Sequence, residues 1–233
     1  RDVLDSSGLG KVPMPFPVAL PERVRVVCAG DFHSLAVSVS RRLYAWGDGD
    51  DGKLGLGDTE GRATPTLVET LEDVWAVGAG LYHTLAVAGE ARNVFVWGSG
   101  KYGALGLGEE RKENCLVPTR VPDLRDVVAV DGGAGWSVAL DRWGKLRAWG
   151  WNDEGRLGVG DEATRWVPTP VVVGAGERVV DVAPGAYHCV ALTAEGSLFT
   201  WGHGRWGQLG HGDEDRRPSP TRVAGLPPMM EGV

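Results

Sequence analysis

This 233-residue sequence has few cysteines, no long apolar run and no excess of basic residues. The only cysteines, Cys28, Cys115 and Cys189, form no CxxC pair, which argues against a disulfide framework or a zinc ribbon. No stretch approaches the roughly 18 to 20 apolar residues of a membrane-spanning helix. Because 24 Lys and Arg face 31 Asp and Glu, the basic footprint of a nucleic-acid-binding protein is absent. We therefore expect no direct nucleic-acid or membrane contact, and a location in the cytoplasm or nucleus.

Glycine and tryptophan, in contrast, are abundant. The chain contains 36 glycines and 10 tryptophans, and its hydrophobic fraction of 42% is enough for a substantial core. Each glycine in a helix interior costs roughly 1 kcal/mol relative to alanine, so this composition disfavours long helices. The composition predicts an all-β protein with many tight turns.

The sequence repeats itself. A Trp-Gly pair recurs at spacings of 51, 52 and 52 residues, and a G-x-L-G-x-G segment follows each pair. Upstream of each pair, a histidine in three units and Trp136 in the third begin an alternating apolar segment typical of a half-buried strand. About four short strands per unit predict the blades of a β-propeller. The predicted repeats cover residues 24–73, 74–126, 127–178 and 179–230, with a partial repeat over 1–23 and a stub at 231–233 of the same single propeller domain.

These markers resemble the regulator of chromosome condensation repeat, which combines G-x-x-H-[ST]-x-A-[VL], Trp-Gly, G-x-L-G-x-G and a proline before the last strand. The resemblance covers nearly the whole chain and implies a seven-bladed ring, whereas the sequence contains four complete repeats. Three arrangements fit this difference: a piece of a longer protein, an arc completed by another chain, or a small ring closed by strand exchange. We favour the first, because repeat units gain stability from their neighbours.

Candidate binding residues are sought where the repeats differ, because propellers bind partners through variable loops. Conventional catalysis is not expected, since no nucleophile and base motif interrupts the repeat, and the loop acids such as Asp48 are expected to be solvated. The G-x-G-x-x-G match at 98–103 lacks a following helix, so no cofactor is expected. For the repeat histidines, a structural hydrogen bond is favoured over a binding surface, and no metal site is expected. The candidate partner-binding residues are Asp31, Phe32, His33, Tyr82, His83, Tyr102, Trp136, Tyr187, His188 and Trp206.

The resemblance also implies functions. Members of the family act as guanine-nucleotide exchange factors for the small GTPase Ran, as ultraviolet-B photoreceptors or as protein-binding modules of large proteins. The repeat spacing leaves no room for the inserted wedge that exchange implies, and the Trp and Arg positions of the photoreceptors hold other residues here. We therefore expect a non-enzymatic protein-binding propeller, with exchange on a Ran-like GTPase as the alternative and photoreception as the third.

Overall fold

The computed structural model describes residues 17–225, so part of the predicted partial repeat over 1–23 and the stub at 231–233 lie outside the described residues. Sixteen strands form four antiparallel sheets of four strands. The first two sheets comprise β1 (Val24–Ala29), β2 (His33–Ser38), β3 (Leu43–Gly47), β4 (Arg62–Leu67), β5 (Val74–Ala79), β6 (His83–Ala88), β7 (Asn93–Gly98) and β8 (Cys115–Arg120). The other two comprise β9 (Val127–Gly132), β10 (Trp136–Asp141), β11 (Leu146–Gly150), β12 (Arg165–Val171), β13 (Val179–Pro184), β14 (His188–Thr193), β15 (Leu198–Gly202) and β16 (Arg217–Arg222).

Helix is nearly absent from the described residues. Three single 3₁₀ turns, Asp50–Gly52, Lys101–Gly103 and Asp153–Gly155, follow the Trp-Gly pairs of the first three sheets. Within residues 17–225, no helix has the length and apolar character needed to cross a membrane. The predicted all-β class with propeller blades is therefore confirmed.

Each sheet is one blade, with its strands in sequence order from the inside of the arc outward. The inner strands β1, β5, β9 and β13 lie next to one another from blade to blade. A close approach is visible at Gly78, where an added Cβ would lie 2.4 Å from the carbonyl oxygen of Val130. Glycine at this position therefore lets the second and third blades pack their inner strands tightly.

The tryptophans of the Trp-Gly pairs fill the space between blades. Trp97, Trp149 and Trp201 are fully buried, and each indole Nε1 donates to a backbone carbonyl of the preceding blade's glycine-rich segment, at 2.9, 2.9 and 3.1 Å. That segment must pass close to the ring, since a Cβ on Gly106, whose φ is +65°, would lie 2.7 Å from Trp149 Nε1. The predicted packing of these rings between sheets is confirmed for these three tryptophans.

Candidate functional site

The blades share one loop-rich face. Antiparallel strand order places the connection between the first and second strands at the same end as the connection between the third and fourth strands. We call this end the loop face, and the opposite end the turn face. Backbone hydrogen bonds join neighbouring loops, from Leu81 N to Gly133 O at 3.2 Å and from Ala134 N to Ala186 O at 3.3 Å. The predicted binding residues all lie in or next to loop-face connections.

Two of those residues, His33 and His83, lie inside the interfaces between blades. They are 3% and 0% exposed, and their Nε2 atoms lie 2.8 Å from Thr84 Oγ1 and 2.7 Å from Ser137 Oγ. Each hydroxyl donates its only proton to a backbone carbonyl, so it accepts from the histidine, whose Nε2 therefore carries the proton. Burial excludes direct contact with a partner, so the prediction that His33 and His83 bind a partner is corrected. Both residues make the structural hydrogen bond that the sequence analysis favoured for the repeat histidines.

The same burial makes both histidines poor bases. Desolvation lowers the pKa of His33 to about 4, with a further contribution from Lys53, and lowers the pKa of His83 to about 3. Their Nδ1 atoms are enclosed and have no hydrogen-bond partner within the described chain. Glycine encloses them, because a Cβ on Gly30 would lie 2.7 Å from His33 Nδ1. Both rings are therefore neutral at pH 7 and unavailable for proton transfer with solvent.

The interface between the third and fourth blades changes both members of this pair. Trp136 takes the histidine position and is 0% exposed, and Cys189 replaces the serine or threonine opposite it. The indole Nε1 of Trp136 donates to Ala186 O at 3.0 Å instead. Trp136 is thus a second correction, since it is core and not a partner contact. His188, in the last described blade, is half-buried, and its side chain makes no hydrogen bond within residues 17–225.

A continuous stack of side chains crosses the loop face of the second, third and fourth blades. The Tyr102 and Trp151 rings stack with centroids 4.8 Å apart, and the Arg156 guanidinium lies 4.3 Å from the Trp151 ring and 4.9 Å from the Tyr187 ring. From Tyr187 the contacts continue within the fourth blade. The aromatic stack, as we name it, consists of Tyr102, Trp151, Arg156, Tyr187, His203 and Trp206.

The far end of the aromatic stack is ordered by a hydrogen bond. The His203 ring centroid lies 6.4 Å from that of Tyr187 and 4.7 Å from that of Trp206. Its Nδ1 lies 2.8 Å from Gln208 Nε2, which makes Nδ1 the acceptor of the amide proton. The backbone N–H of Trp206 in turn donates to Gln208 Oε1 at 2.9 Å. One glutamine therefore fixes both the imidazole and the loop that carries the tryptophan.

Arg156 is the buried member of the aromatic stack. It is 2% exposed, and its Nε donates to the carbonyl of Asp153 at 2.9 Å. Burial lowers the pKa of Arg156, while the charges of Asp153, Tyr187 and Glu154 raise it, yet no carboxylate within residues 17–225 forms an ion pair with it. Held between rings instead of against a carboxylate, the guanidinium fixes the positions of Trp151 and Tyr187.

The origin of this arrangement is a pair of positions five residues apart, which differs from blade to blade. In the first blade the pair is Asp48 and Lys53, whose Nζ forms an ion pair with the Asp48 carboxylate. The Lys53 ammonium lowers the pKa of Asp48 by a hydrogen bond. The sequence predicted that this acid is merely solvated, and that prediction is wrong for Asp48. In the third blade Trp151 takes the acid position opposite Arg156. The third blade therefore has a cation, Arg156, at the position of Lys53, but the Trp151 indole stands where the first blade has the Asp48 carboxylate.

The exposed part of the loop face is rich in aromatic surface. Tyr102, Tyr187 and Trp206 of the stack are 48%, 39% and 72% exposed. Phe32 and Tyr82, at 58% and 42%, extend this surface to the first and second blades, although they are not in the stack. Asp31 is also exposed.

A cleft of about 320 Å³ opens between the loops, and Asp31 and Tyr187 are both part of its lining. Cys28 and Asp131 line it from the inner strands. Burial, assisted by the Asp131 charge, raises the pKa of Cys28 to about 11, and burial also raises the pKa of Asp131. The thiol is therefore protonated at neutral pH and is not a nucleophile. No three His, Cys, Asp or Glu side chains within residues 17–225 cluster as metal ligands.

Sequence reasoning identified the exposed members of the aromatic stack but missed Trp151, Arg156 and His203. Trp151 follows directly after the third Trp-Gly pair. The signal was available in the comparison of blades, where position 48 is acidic and its equivalents are serine, tryptophan and histidine. The contact partners of these residues lie one blade away or on another loop, so only the fold brings them together.

Comparisons with known proteins agree with this architecture. The family model of the RCC1-like domain matches residues 4–232. The chain is 35% identical over 207 residues to the ultraviolet-B receptor UVR8 of Arabidopsis thaliana, covering 88% of this chain and 47% of that protein. It is 38% identical over 207 residues to the human E3 ubiquitin-protein ligase HERC2, covering 86% of this chain and 4% of that protein. The chain thus spans about half or less of these two relatives.

A solved structure gives the same result. Prp20p of Saccharomyces cerevisiae, a structure reported with its binding properties to Gsp1p and histones, superposes with a TM-score of 0.75 at 26% identity. The match covers 89% of this chain and 53% of that chain. Similarity therefore extends through the described blades and not only through the repeat motifs.

Proposed function

The chain belongs to the RCC1-like domain family, and from that premise we propose that it is a non-enzymatic protein-interaction module which binds its partner through the loop face. One observation carries this proposal, namely the aromatic stack that runs over three blades. Members of the family with this propeller do not share one reaction, and fold alone does not assign a function. The proposal therefore depends on the surface chemistry of the loop face.

The aromatic stack has the properties of a binding surface that is ordered before a partner arrives. Tyrosine, tryptophan and arginine are the residues most enriched among those that dominate binding energy at protein interfaces. Because Arg156 holds Trp151 and Tyr187 in place, their rotamer entropy is already lost in the free protein. Trp206, at 72% exposure, leaves a large apolar area in water, which a partner would cover.

The other exposed candidates extend this surface. Phe32 and Tyr82 lie on the loop face of the first and second blades, and Asp31 adds a charge beside them. His188 is half-buried at the base of the fourth blade's first loop. We propose Asp31, Phe32, Tyr82, Tyr102, Tyr187, His188 and Trp206 as partner contacts, and the cell interior as the site of action, since the three cysteines are free thiols.

Nucleotide exchange on a small GTPase is the second candidate. The similarity to Prp20p, whose structure was reported with its binding to Gsp1p, favours it. Exchange needs no covalent chemistry, because a rigid surface that binds the nucleotide-free state better accelerates release. In a GDP-release assay with a panel of small GTPases, micromolar chain would accelerate release from at least one of them; if none responds, exchange is excluded and the binding module remains.

Ultraviolet reception and ubiquitin ligation are functions of relatives that we do not transfer. The photoreceptor relatives carry Trp-Arg pairs in the loop between the first and second strands of their blades. None of the four described blades has a Trp-Arg pair in this loop, and the first blade has Asp31 and Phe32 there. The chain spans only 4% of HERC2, so the name of that ligase describes a far larger protein. Ultraviolet illumination is expected to leave the elution volume of this chain unchanged in size-exclusion chromatography.

The surface itself is tested by site-specific photo-crosslinking. A photoreactive residue is placed at Trp206 on the loop face or at Trp143, an indole of 53% exposure in a connection on the turn face. The protein is illuminated in extract of its source cells, and the captured proteins are identified by mass spectrometry and purified. A partner captured at position 206 and not at 143, which then binds the purified chain, supports the proposal. A partner captured only at position 143 contradicts it.

A further inference from the structure

The turn face carries a second unusual cluster, and it too emerges from a comparison of blades. Near the start of each inner strand, the pairing register shifts by one residue, a β-bulge that re-aims the extra side chain. The residue at this bulge is Arg25 in the first blade and Trp75 in the second, whereas the third and fourth blades have Val128 and Val180. The first two blades therefore place a cation and an indole where the other two place valine.

A second set of equivalent positions differs in the same way. The turn between the second and third strands needs a residue with positive φ, and Gly144 and Gly196 supply it in the third and fourth blades, at +81° and +76°. In the first two blades this position holds Arg41 and Arg92, at +64° and +48°. A residue with a side chain is strained in this conformation, and such strain concentrates at functional sites.

All four side chains meet on the turn face. The guanidinium carbons of Arg41 and Arg92 lie 3.3 and 4.0 Å from the centroid of the Trp75 ring, and that of Arg25 lies 5.9 Å away. At these distances Arg41 and Arg92 would collide on one face of the indole, so they lie on opposite faces. Two residues from the same turn position of neighbouring blades thus enclose one tryptophan.

The cluster carries more positive than negative charge. Asp73 forms an ion pair with Arg41 at 2.6 Å and accepts a hydrogen bond from Trp75 Nε1 at 3.3 Å. Arg25 and Arg92 have no carboxylate within ion-pair distance among residues 17–225. Arg25 is exposed and Arg92 is half-buried, so their donors remain accessible from water. Three guanidinium groups therefore surround one ring with a single carboxylate among them.

We propose that Arg25, Arg41 and Arg92 form a binding site for a phosphate group, either free or as the monoester of a side chain, which lies against the edge of Trp75. A guanidinium presents a planar set of donors that matches phosphate oxygens two at a time, and stacking on an indole leaves those donors free at the ring edge. A phosphate dianion offers three oxygens and two negative charges. Those two charges match the two positive charges of Arg25 and Arg92, which have no carboxylate partner among residues 17–225. The site lies on the face opposite the aromatic stack, so it does not depend on the proposed function.

The strain at Arg92 provides a clean test. Arg92→Gly removes the guanidinium and relieves the backbone, so folding is not at risk. The matched control is Arg142→Gly, on the same face, because Arg142 also lies over an indole, 4.6 Å from the Trp143 ring, but is already paired with Asp126 at 2.9 Å. The Trp75 indole N–H resonance is followed by NMR during titration with inorganic phosphate, O-phosphoserine or succinate.

In the unaltered chain, phosphate and O-phosphoserine shift the Trp75 resonance in a saturable way, while succinate binds at least tenfold more weakly. Arg92→Gly weakens phosphate binding at least tenfold and does not lower the thermal midpoint, and Arg142→Gly leaves the affinity within twofold. Binding of O-phosphoserine but not of inorganic phosphate assigns the site to phosphorylated side chains; the reverse assigns it to free phosphate. The proposal is overturned by the absence of a saturable shift, by equal binding of succinate, or by equal losses in both variants.

Discussion

Acidification should weaken the propeller through the two histidines buried between blades. Burial lowers the pKa of His33 to about 4 and that of His83 to about 3, whereas an unfolded chain has a histidine pKa of about 6.5. Below pH 6.5 the unfolded state therefore takes up protons that the folded state refuses, so stability falls as the pH falls toward the folded-state values. Above pH 6.5 this contribution is fully present.

The magnitude follows from proton linkage. Between pH 7 and pH 5, each of these histidines removes about 2 kcal/mol of unfolding free energy, and the pair removes about 4 kcal/mol. The surface acids with hydrogen-bonded carboxylates, such as Asp48 and Asp213, have lowered pKa values, so their contribution is lost only at lower pH. Burial raises the pKa of Asp131, which acts in the opposite direction. Between pH 7 and pH 5 we therefore expect the two buried histidines to dominate the loss of stability, with His188, whose pKa burial also lowers, acting in the same direction.

The assay is urea unfolding, followed by tryptophan fluorescence at pH 7, 6 and 5. His83→Gln keeps an amide N–H that can donate to Ser137 Oγ but cannot take up a proton. We expect the loss of stability between pH 7 and pH 5 to fall by about half in this variant, from about 4 to about 2 kcal/mol. A stability independent of pH over this window, or an identical loss in His83→Gln, would refute the assignment of neutral, buried histidines.

Two further predictions concern the packing between blades. Trp136→His with Cys189→Ser restores the histidine and hydroxyl pair of the other interfaces. The double variant should therefore be about 1 kcal/mol more stable than the sum of its single changes predicts, measured by urea unfolding in a double-mutant cycle. Additivity within about 0.3 kcal/mol would argue against a coupled pair. Gly106→Ala should cost at least about 1 kcal/mol more than Gly89→Ala, since both glycines have positive φ but only the first Cβ would strike Trp149; equal thermal midpoints of the two variants would contradict the close contact.

The strands could be predicted from the sequence because four repeats each carry the same pattern. Four copies of one pattern of glycine, alternating apolar residues and Trp-Gly identify a blade even where one copy is irregular, as at Trp136. The role of that residue was not predictable in the same way. Its burial depends on Ala186, which lies in the next blade, and a contact across blades leaves no local signal.

The candidate site was predictable only in part, for the same physical reason. Tyr102, Tyr187 and Trp206 could be selected because they stand in variable loops, and the loop face follows from strand order. Arg156 could not be selected, since its importance comes from the two rings beside it and from the absence of a paired carboxylate among the described residues. His33 and His83 were ambiguous until the hydroxyl partners one blade away were located.

The central claim is that this chain binds a protein through the aromatic stack on its loop face. Its most direct test is the dissociation constant of the partner captured by crosslinking, measured by calorimetry for Trp206→Ala and Trp143→Ala, two exposed indoles on opposite faces. We predict that Trp206→Ala weakens binding at least tenfold, about 1.4 kcal/mol, while Trp143→Ala stays within twofold of the unaltered chain. Equal affinities for the two variants, or a larger loss for Trp143→Ala, would contradict the claim.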